Sequence, residues 1–301
     1  MDHGRFAHYR AFYDGPASKA PIALVMGNCQ AESVRVMLAT SKSFPCTLVR
    51  VPPVHELVSN DMDHLDALLK RTEILLTQSV RSDYRGLPVG TAQLAERLPS
   101  SARTVRWPVV RYGGLHPFTA IVRHPDDRSG VPPVVPYHDL RLISRLAGRP
   151  SDVHTGPSAD EVVAVAEMSK AEMRRRERAT ADVAVSDLLV RAGADAMRTP
   201  NHPGNSVLLG LARRLQRALD LPGDATDPGR PLLNDIHAPL SERVITALGL
   251  KAAIRSTWSM AGEPVEEHFL WKEHTRWYER HPQWVEAGIS RHRDQMALLG
   301  L

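Results

Sequence analysis

Gly27-Asn28-Cys29-Gln30 is the stretch of this 301-residue chain best suited to chemistry. A thiol stands between two amide side chains. Before it runs the apolar Ile22-Ala23-Leu24-Val25-Met26; after it comes Ala31 to Leu38, with Val34, Met37 and Leu38 at helical spacing. The pattern predicts strand, tight turn, helix. On such a turn the thiol lies at the open end of a helix, where unpaired N–H groups and the positive end of the dipole favour a thiolate. Gly27 permits a close backbone approach or a positive φ. The amides of Asn28 and Gln30 can donate to an oxyanion. These groups suit acyl transfer by a cysteine nucleophile, or the cradling of an anion.

A cysteine nucleophile needs a base, and two His-Pro turns can supply one: Gly114-Leu115-His116-Pro117 and Asn201-His202-Pro203. Proline disfavours helix at the residue before it, so each imidazole sits on an extended turn at an element boundary. The helix start that follows, Gly204-Asn205-Ser206, can receive a phosphate. A polar loop, Gln78-Ser79-Val80-Arg81-Ser82-Asp83-Tyr84-Arg85-Gly86, follows the third expected strand, and Arg81 with Arg85 can clamp phosphate or carboxylate. The densest basic run, Arg174-Arg175-Arg176-Glu177-Arg178, reads first as a solvated helix face and second as a contact for coenzyme phosphates. Trp258, Trp271, Trp277 and Trp284 read as core or interface packing.

The elements that must position these groups alternate. Strands are expected at Ile22 to Met26, Cys46 to Val51, Glu73 to Thr77 and from Thr104. Helices are expected after Cys29, at Asp63 to Arg71, at Ala92 to Leu98, from about Ser158 to Arg191 and from Ser206. Alternation at this pitch predicts an α/β chain with a parallel sheet and helices on both faces, a three-layer core. Ligands of such sheets bind beyond the carboxyl ends of the strands, where the Gly27 turn, Thr77-Gln78-Ser79 and the segment after Trp107 would all lie. Ser158-Ala159-Asp160-Glu161 has the form of a capping box. The Pro-rich stretch Arg123 to Tyr137 reads as an excursion loop. Leu221 to Pro231 reads as a connector, and the remainder as helical, which gives an α/β core over 1–220 and a helical C-terminal segment over 221–301.

Composition narrows the class. The net charge of +4 comes mostly from scattered arginines, so a nucleic-acid partner is not required and a polyanionic small ligand fits as well. Cys29 and Cys46 are the only cysteines, with no zinc-type spacing, so neither a disulfide framework nor a metal is expected. No apolar stretch is long enough for a membrane span or a signal peptide, so the expectation is a cytoplasmic protein whose thiols stay reduced.

A first strand ending in Gly-Asn-Cys-Gln resembles the opening of the WcbI-like family of capsular polysaccharide biosynthesis proteins. The Gln78–Gly86 loop, the turn at His116, the helix running into Val185-Ser186-Asp187-Leu188 and Thr199-Pro200-Asn201-His202-Pro203 follow in that family's order, over about Ile22 to Leu215. The resemblance implies an α/β protein that binds coenzyme A or acetyl-coenzyme A and O-acetylates a sugar. It places Cys29 and its neighbours at the reaction centre with His116 and His202 nearby. On this basis Cys29, His202 and His116 are the candidate catalytic residues; Gly27, Asn28 and Gln30 form the turn; and Ser79, Arg81, Tyr84, Arg85, Asn201 and Asn205 are candidate coenzyme contacts. The layout is also similar to SGNH hydrolases, with Cys29 in place of their serine but without a late Asp-x-x-His. The expected partners are an acyl-CoA donor and a hydroxyl or amine acceptor, and an oligomer is possible. A cysteine-dependent thioesterase or esterase, and a non-catalytic binder of coenzyme A or nucleotide, are the alternatives.

Overall fold

The computed structural model describes residues 3–124, 126–127, 130–149 and 156–301. The chain forms two compact units. The first comprises the residues up to Val110, Arg174–Leu188 and Gly204–Leu233; the second comprises Arg111–Met173, Leu189–Pro203 and Asn234–Leu301. This division differs from the expected split at 220: residues 221–233 stay with the first unit, whereas 234–301 join segments from the middle of the chain. No helix among the described residues is long and apolar enough to cross a membrane.

The first unit is built on a parallel sheet of β1 (Ile22–Met26), β2 (Thr47–Val49), β3 (Thr72–Gln78) and β4 (Arg103–Trp107), in the order β2-β1-β3-β4. All five residues of β1 are buried, as expected of a strand covered on both faces. The helix Cys29–Leu38 starts at the end of β1, and Asn205–Ala218 packs against it. Leu65, Leu68 and Leu69 of Met62–Leu69 enter a core with Ile22, Leu24, Met26 and Leu75. These four strands and their helices match the sequence pattern. The register places Met26 beside Thr77, and Gln78 beside Trp107, so the ends of β1, β3 and β4 share one edge.

The long helix expected over 158–191 is two helices, Ala159–Thr180 and Ser186–Ala192. The capping box forms: Ser158 N donates to Glu161 Oε2 at 2.7 Å and Glu161 N donates to Ser158 Oγ at 3.2 Å. The break has a local cause. Glu177, buried within the basic run, accepts from Val185 N, Ser186 N and Ser186 Oγ at 2.5, 2.7 and 2.7 Å, and so caps the second helix. Arg106 N donates to the Asp182 carboxylate at 2.7 Å, and Asp182 N returns to Arg106 O.

The second unit is not the helical remainder expected. Ile236–His237, Trp258–Met260 and Glu263–Val265 form a three-stranded antiparallel sheet. Its hairpin turns on Ala261 (φ 50°) and Gly262 (φ 92°), left-handed backbone that suits a two-residue loop. The strands are too short to show an alternating pattern, and Ala-Gly is a weak turn signal. Beyond the sheet, Glu267–Arg280 and Gln283–Leu298 bury Trp277, Tyr278, Trp284 and Met296 with Ile143. Trp258 is buried with Tyr137 and Leu270. The Arg123–Tyr137 loop is described except at 125, 128 and 129; among its described residues it contains no helix or strand.

Candidate functional site

In the first unit the Gly27–Gln30 turn is fixed by one residue of the neighbouring strand. Gln78, 2% exposed at the end of β3, accepts from Asn28 N through Oε1 at 2.8 Å. Its Nε2 donates to Asn28 Oδ1 at 3.3 Å and to Gln30 Oε1 at 3.2 Å. Asn28 is the N-cap of the Cys29–Leu38 helix, its Oδ1 accepting from Gln30 N at 2.9 Å. Two donors on Oδ1 settle the orientation of that amide and leave Nδ2 as its free donor group. Gly27 is required by proximity and not by its own conformation: a Cβ there would lie 2.6 Å from Gln78 Oε1. Cys29 is the first residue of the helix, half-buried and outside any disulfide. Cys46 is distinct: burial, with the nearby Glu73 charge, pushes its thiol up.

Gln30 does not serve as an oxyanion donor. It is fully buried, its Nε2 donates to Val110 O at 2.8 Å, and its Oε1 accepts from Val110 N at 3.0 Å. It therefore ties the turn to the segment after β4, and all three segments expected on this edge meet there. Of the loop after β3, Ser79 Oγ donates to Thr180 O at 2.5 Å, Tyr84 packs against the core and Arg85 donates to His55 O. These three hold the loop in shape. Arg81 is exposed and has no partner among the described residues. Asn205 is likewise structural: its amide donates to Asp227 Oδ2 at 3.0 Å and Arg230 O at 2.9 Å, and its Oδ1 accepts from Leu232 N at 3.0 Å.

In the second unit the two expected bases part company. His116 is 3% exposed, with Nδ1 3.0 Å from Pro239 O and Nε2 3.3 Å from Met197 O. Both nitrogens face carbonyls, so the ring is a strut and offers no lone pair to a substrate. Burial lowers it to about 4, and the Arg255 charge adds to that. Among the described residues, His202 Nδ1 is buried and has no hydrogen-bond partner. Burial also lowers its pKa to about 4, with the Arg198 and His237 fields helping and Asp235 opposing, so the ring is neutral near pH 7. The ring lies edge-on to Tyr137, 6.4 Å between centroids. Tyr137 OH donates to Asn201 Oδ1 at 2.7 Å and lies 2.8 Å from Thr199 Oγ1, which fixes the Asn201-His202-Pro203 turn. Tyr137 and Thr199 escape sequence reasoning because they are far apart in the chain. Gln78 had a signal: a polar residue ending a strand next to β1.

The second unit also contains a cavity of about 360 Å³ lined by His116, Arg141, Asp139, Trp258, Glu267 and Trp271, among others. Its charges largely cancel, since Arg141 donates to Asp139 Oδ2 at 2.6 Å and to Glu267 Oε1 at 2.5 Å.

The family model for the polysaccharide biosynthesis enzyme WcbI matches residues 22–224. The chain belongs to the WcbI family of polysaccharide biosynthesis enzymes. A solved WcbI structure is similar over 93% of this chain and 98% of that one, with a TM-score of 0.76 and 19% sequence identity. It is described as the native protein without a disulfide bond between coenzyme A and one of its cysteines. At that identity the likeness supports the fold alone. A search of curated proteins returns no match. The family match covers the Cys29 turn, the Gln78 loop, and the turns at His116 and His202, and ends within the 221–233 segment.

Proposed function

We propose that this WcbI-family protein is an acyl-CoA-dependent acyltransferase, an O-acetyltransferase acting on a sugar hydroxyl, with Cys29 at the reaction centre and His202 as the base. The observation that carries this reading is the Gly27–Gln30 turn. A thiol heads a helix whose entry is fixed by buried amide hydrogen bonds from Gln78, so a thiolate and the oxyanion formed from a thioester meet donors that need not reorganise. The family assignment and the coenzyme A named for the similar structure support a thioester donor.

In this reading the Cys29 thiolate attacks the thioester carbonyl. The C–S bond to coenzyme A breaks, and the coenzyme leaves as the thiolate and takes up a proton. The acceptor hydroxyl then attacks the acyl-cysteine, its proton passes to a neutral imidazole, and Cys29 is released as thiolate. The Asn28 Nδ2 group is the side-chain donor for the oxyanion. His202 suits the base role better than His116, both of whose ring nitrogens face backbone carbonyls.

Release of free coenzyme A from acetyl-CoA, followed with a thiol reagent, separates this reading from a thioesterase. The expected result is slow release from enzyme alone and a rise when hexoses or amino sugars are added. Fast release that no acceptor accelerates would identify a hydrolase instead.

A further inference from the structure

The cavity of the second unit is walled by aromatic side chains and by polar groups with hydrogen bonds to spare. Its volume of about 360 Å³ lies at the small end of small-molecule sites, which run from about 300 to 1,000 Å³. Phe118, Trp258 and Trp271 line it, and each is held by a partner. Tyr137 stacks on Trp258, with centroids 5.4 Å apart and planes at 21°. The Arg141 guanidinium lies 4.8 Å from the Phe118 centroid and 5.0 Å from that of Trp271. That guanidinium is in turn fixed by Asp139 and Glu267, which leaves Arg141 Nη1 and Glu267 Oε2 without a partner among the described residues. The hydroxyls of Thr119 and Thr257, also in the lining, have no partner among those residues either.

Fixed aromatic surface beside a spare carboxylate oxygen, a spare guanidinium N–H and two hydroxyls suits a ring with an apolar C–H face and hydroxyls around its rim. A pyranose is such a ring. The carboxylate accepts from one hydroxyl and the guanidinium donates to its neighbour, both by charge-assisted bonds. The charge on the wall disfavours phosphate: Asp139, Glu242 and Glu267 stand against Arg141 and Arg243, so the balance is negative. An ammonium ligand finds the rings engaged, because Arg141 already lies on Phe118 and Trp271. The volume suits a monosaccharide better than a whole nucleotide coenzyme. The lining also straddles the limit of the family match. Phe118, Asp139 and Arg141 fall within residues 22–224, whereas Trp258, Glu267 and Trp271 follow them. A cavity completed from outside the shared segment is where members of one family can differ in acceptor.

We propose that this cavity binds a neutral pyranose, with its C–H face on tryptophan and its hydroxyls on Glu267 Oε2, Arg141 Nη1 and the Thr257 hydroxyl. That the sugar is the acyl acceptor rests on the acyltransferase reading; the cavity's preference for a neutral sugar does not. Trp258 links the cavity to the assigned base. It stacks on Tyr137, whose hydroxyl donates to Asn201 Oδ1 and whose ring stands edge-on to His202.

Saturation-transfer NMR with the methyl glycosides of glucose, galactose and mannose, without any acyl-CoA, tests the site on wild type, Trp271→Ala and Glu267→Gln. Saturation is expected at the ring protons of at least one glycoside. Its affinity is expected to fall about tenfold or more in Trp271→Ala, and to fall in Glu267→Gln as well. No saturation of any glycoside in wild type, or equal binding by wild type and both variants, overturns the site. Coenzyme A that displaces the glycoside and loses affinity in the same variants also overturns it, because the cavity then takes the donor. A second readout does not depend on a variant folding. In wild type the indole N–H signals of Trp258 and Trp271 are expected to shift on addition of the glycoside while that of Trp107, in the first unit, stays; unmoved signals contradict the site. Glycosides that bind as expected but do not accelerate release of coenzyme A from acetyl-CoA leave the cavity standing and remove the acyltransferase reading. Sugar-dependent release with the same KM for the sugar in wild type and Trp271→Ala leaves that reading standing and removes the cavity.

Discussion

The Gln78→Met variant is expected to lose about 3 kcal/mol of stability, read from the urea midpoint, and most of its acyl transfer. Methionine preserves the length and burial of the side chain, so packing is not the cause. The loss comes from hydrogen bonds: Asn28 N loses its acceptor, and Asn28 Oδ1 and Gln30 Oε1 lose a donor. Leaving a buried polar group unpaired costs about 1–3 kcal/mol, and Asn28 N is the group left so, since Asn28 Oδ1 keeps Gln30 N and Gln30 Oε1 keeps Val110 N. Gln78→Glu separates geometry from charge. One carboxylate oxygen still accepts from Asn28 N, but the other faces two acceptor oxygens, and the new charge opposes a thiolate at Cys29. Its rate of thiol alkylation is therefore expected to fall at neutral pH and recover only at higher pH. Alkylation and stability like wild type in both variants would show that the turn does not depend on Gln78.

Stability of the second unit is expected to fall steeply in mild acid. Burial holds His116 and His202 near 4 and His138 near 3, and His237, His274 and His292 are lowered as well, chiefly by burial. His138 also lies 2.5 Å from Tyr278 OH and stacks on Trp284, so its protonated form has little to gain there. For groups lowered in the fold, the unfolded chain takes up protons first as the pH drops. The stability is complete above the ordinary value of 6.5 and drains away as the pH falls towards the folded values of about 4 and 3. Holding one such ring at about 4 in the fold corresponds to about 3 kcal/mol, so several such residues together amount to a large part of a typical domain's stability. Urea midpoints at neutral pH and at about pH 5 are expected to differ strongly, with hydrogen exchange rising first in the second unit. His116→Gln, whose amide can donate to both Pro239 O and Met197 O, is expected to flatten the slope. A midpoint independent of pH over this window would contradict the account.

The sequence pattern revealed the first unit well because its central strands β1 and β3 are almost wholly buried and helices with apolar faces separate the strands, so each element announced itself locally. The carboxyl edge of the sheet followed from the alternation of strands and helices, and Gln78 and Val110 both reach the Cys29 turn there. What local reading missed was set by long-range partners. Gln30 looked like a donor to substrate until Val110, 80 positions away, took its amide. His116 looked like a base until Pro239, 123 positions away, took one face of its ring. The three-stranded sheet of the second unit went unseen because its strands are two or three residues long and draw on distant parts of the chain.

Intact-mass and peptide mass spectrometry of the protein quenched after incubation with acetyl-CoA, without acceptor, tests the central claim most directly. The account predicts an acetyl group on Cys29, discharged when a sugar acceptor is added and absent from Cys29→Ala. An unmodified Cys29 in a protein that still transfers acetyl groups, or a Cys29→Ala variant with full transfer activity, would contradict it.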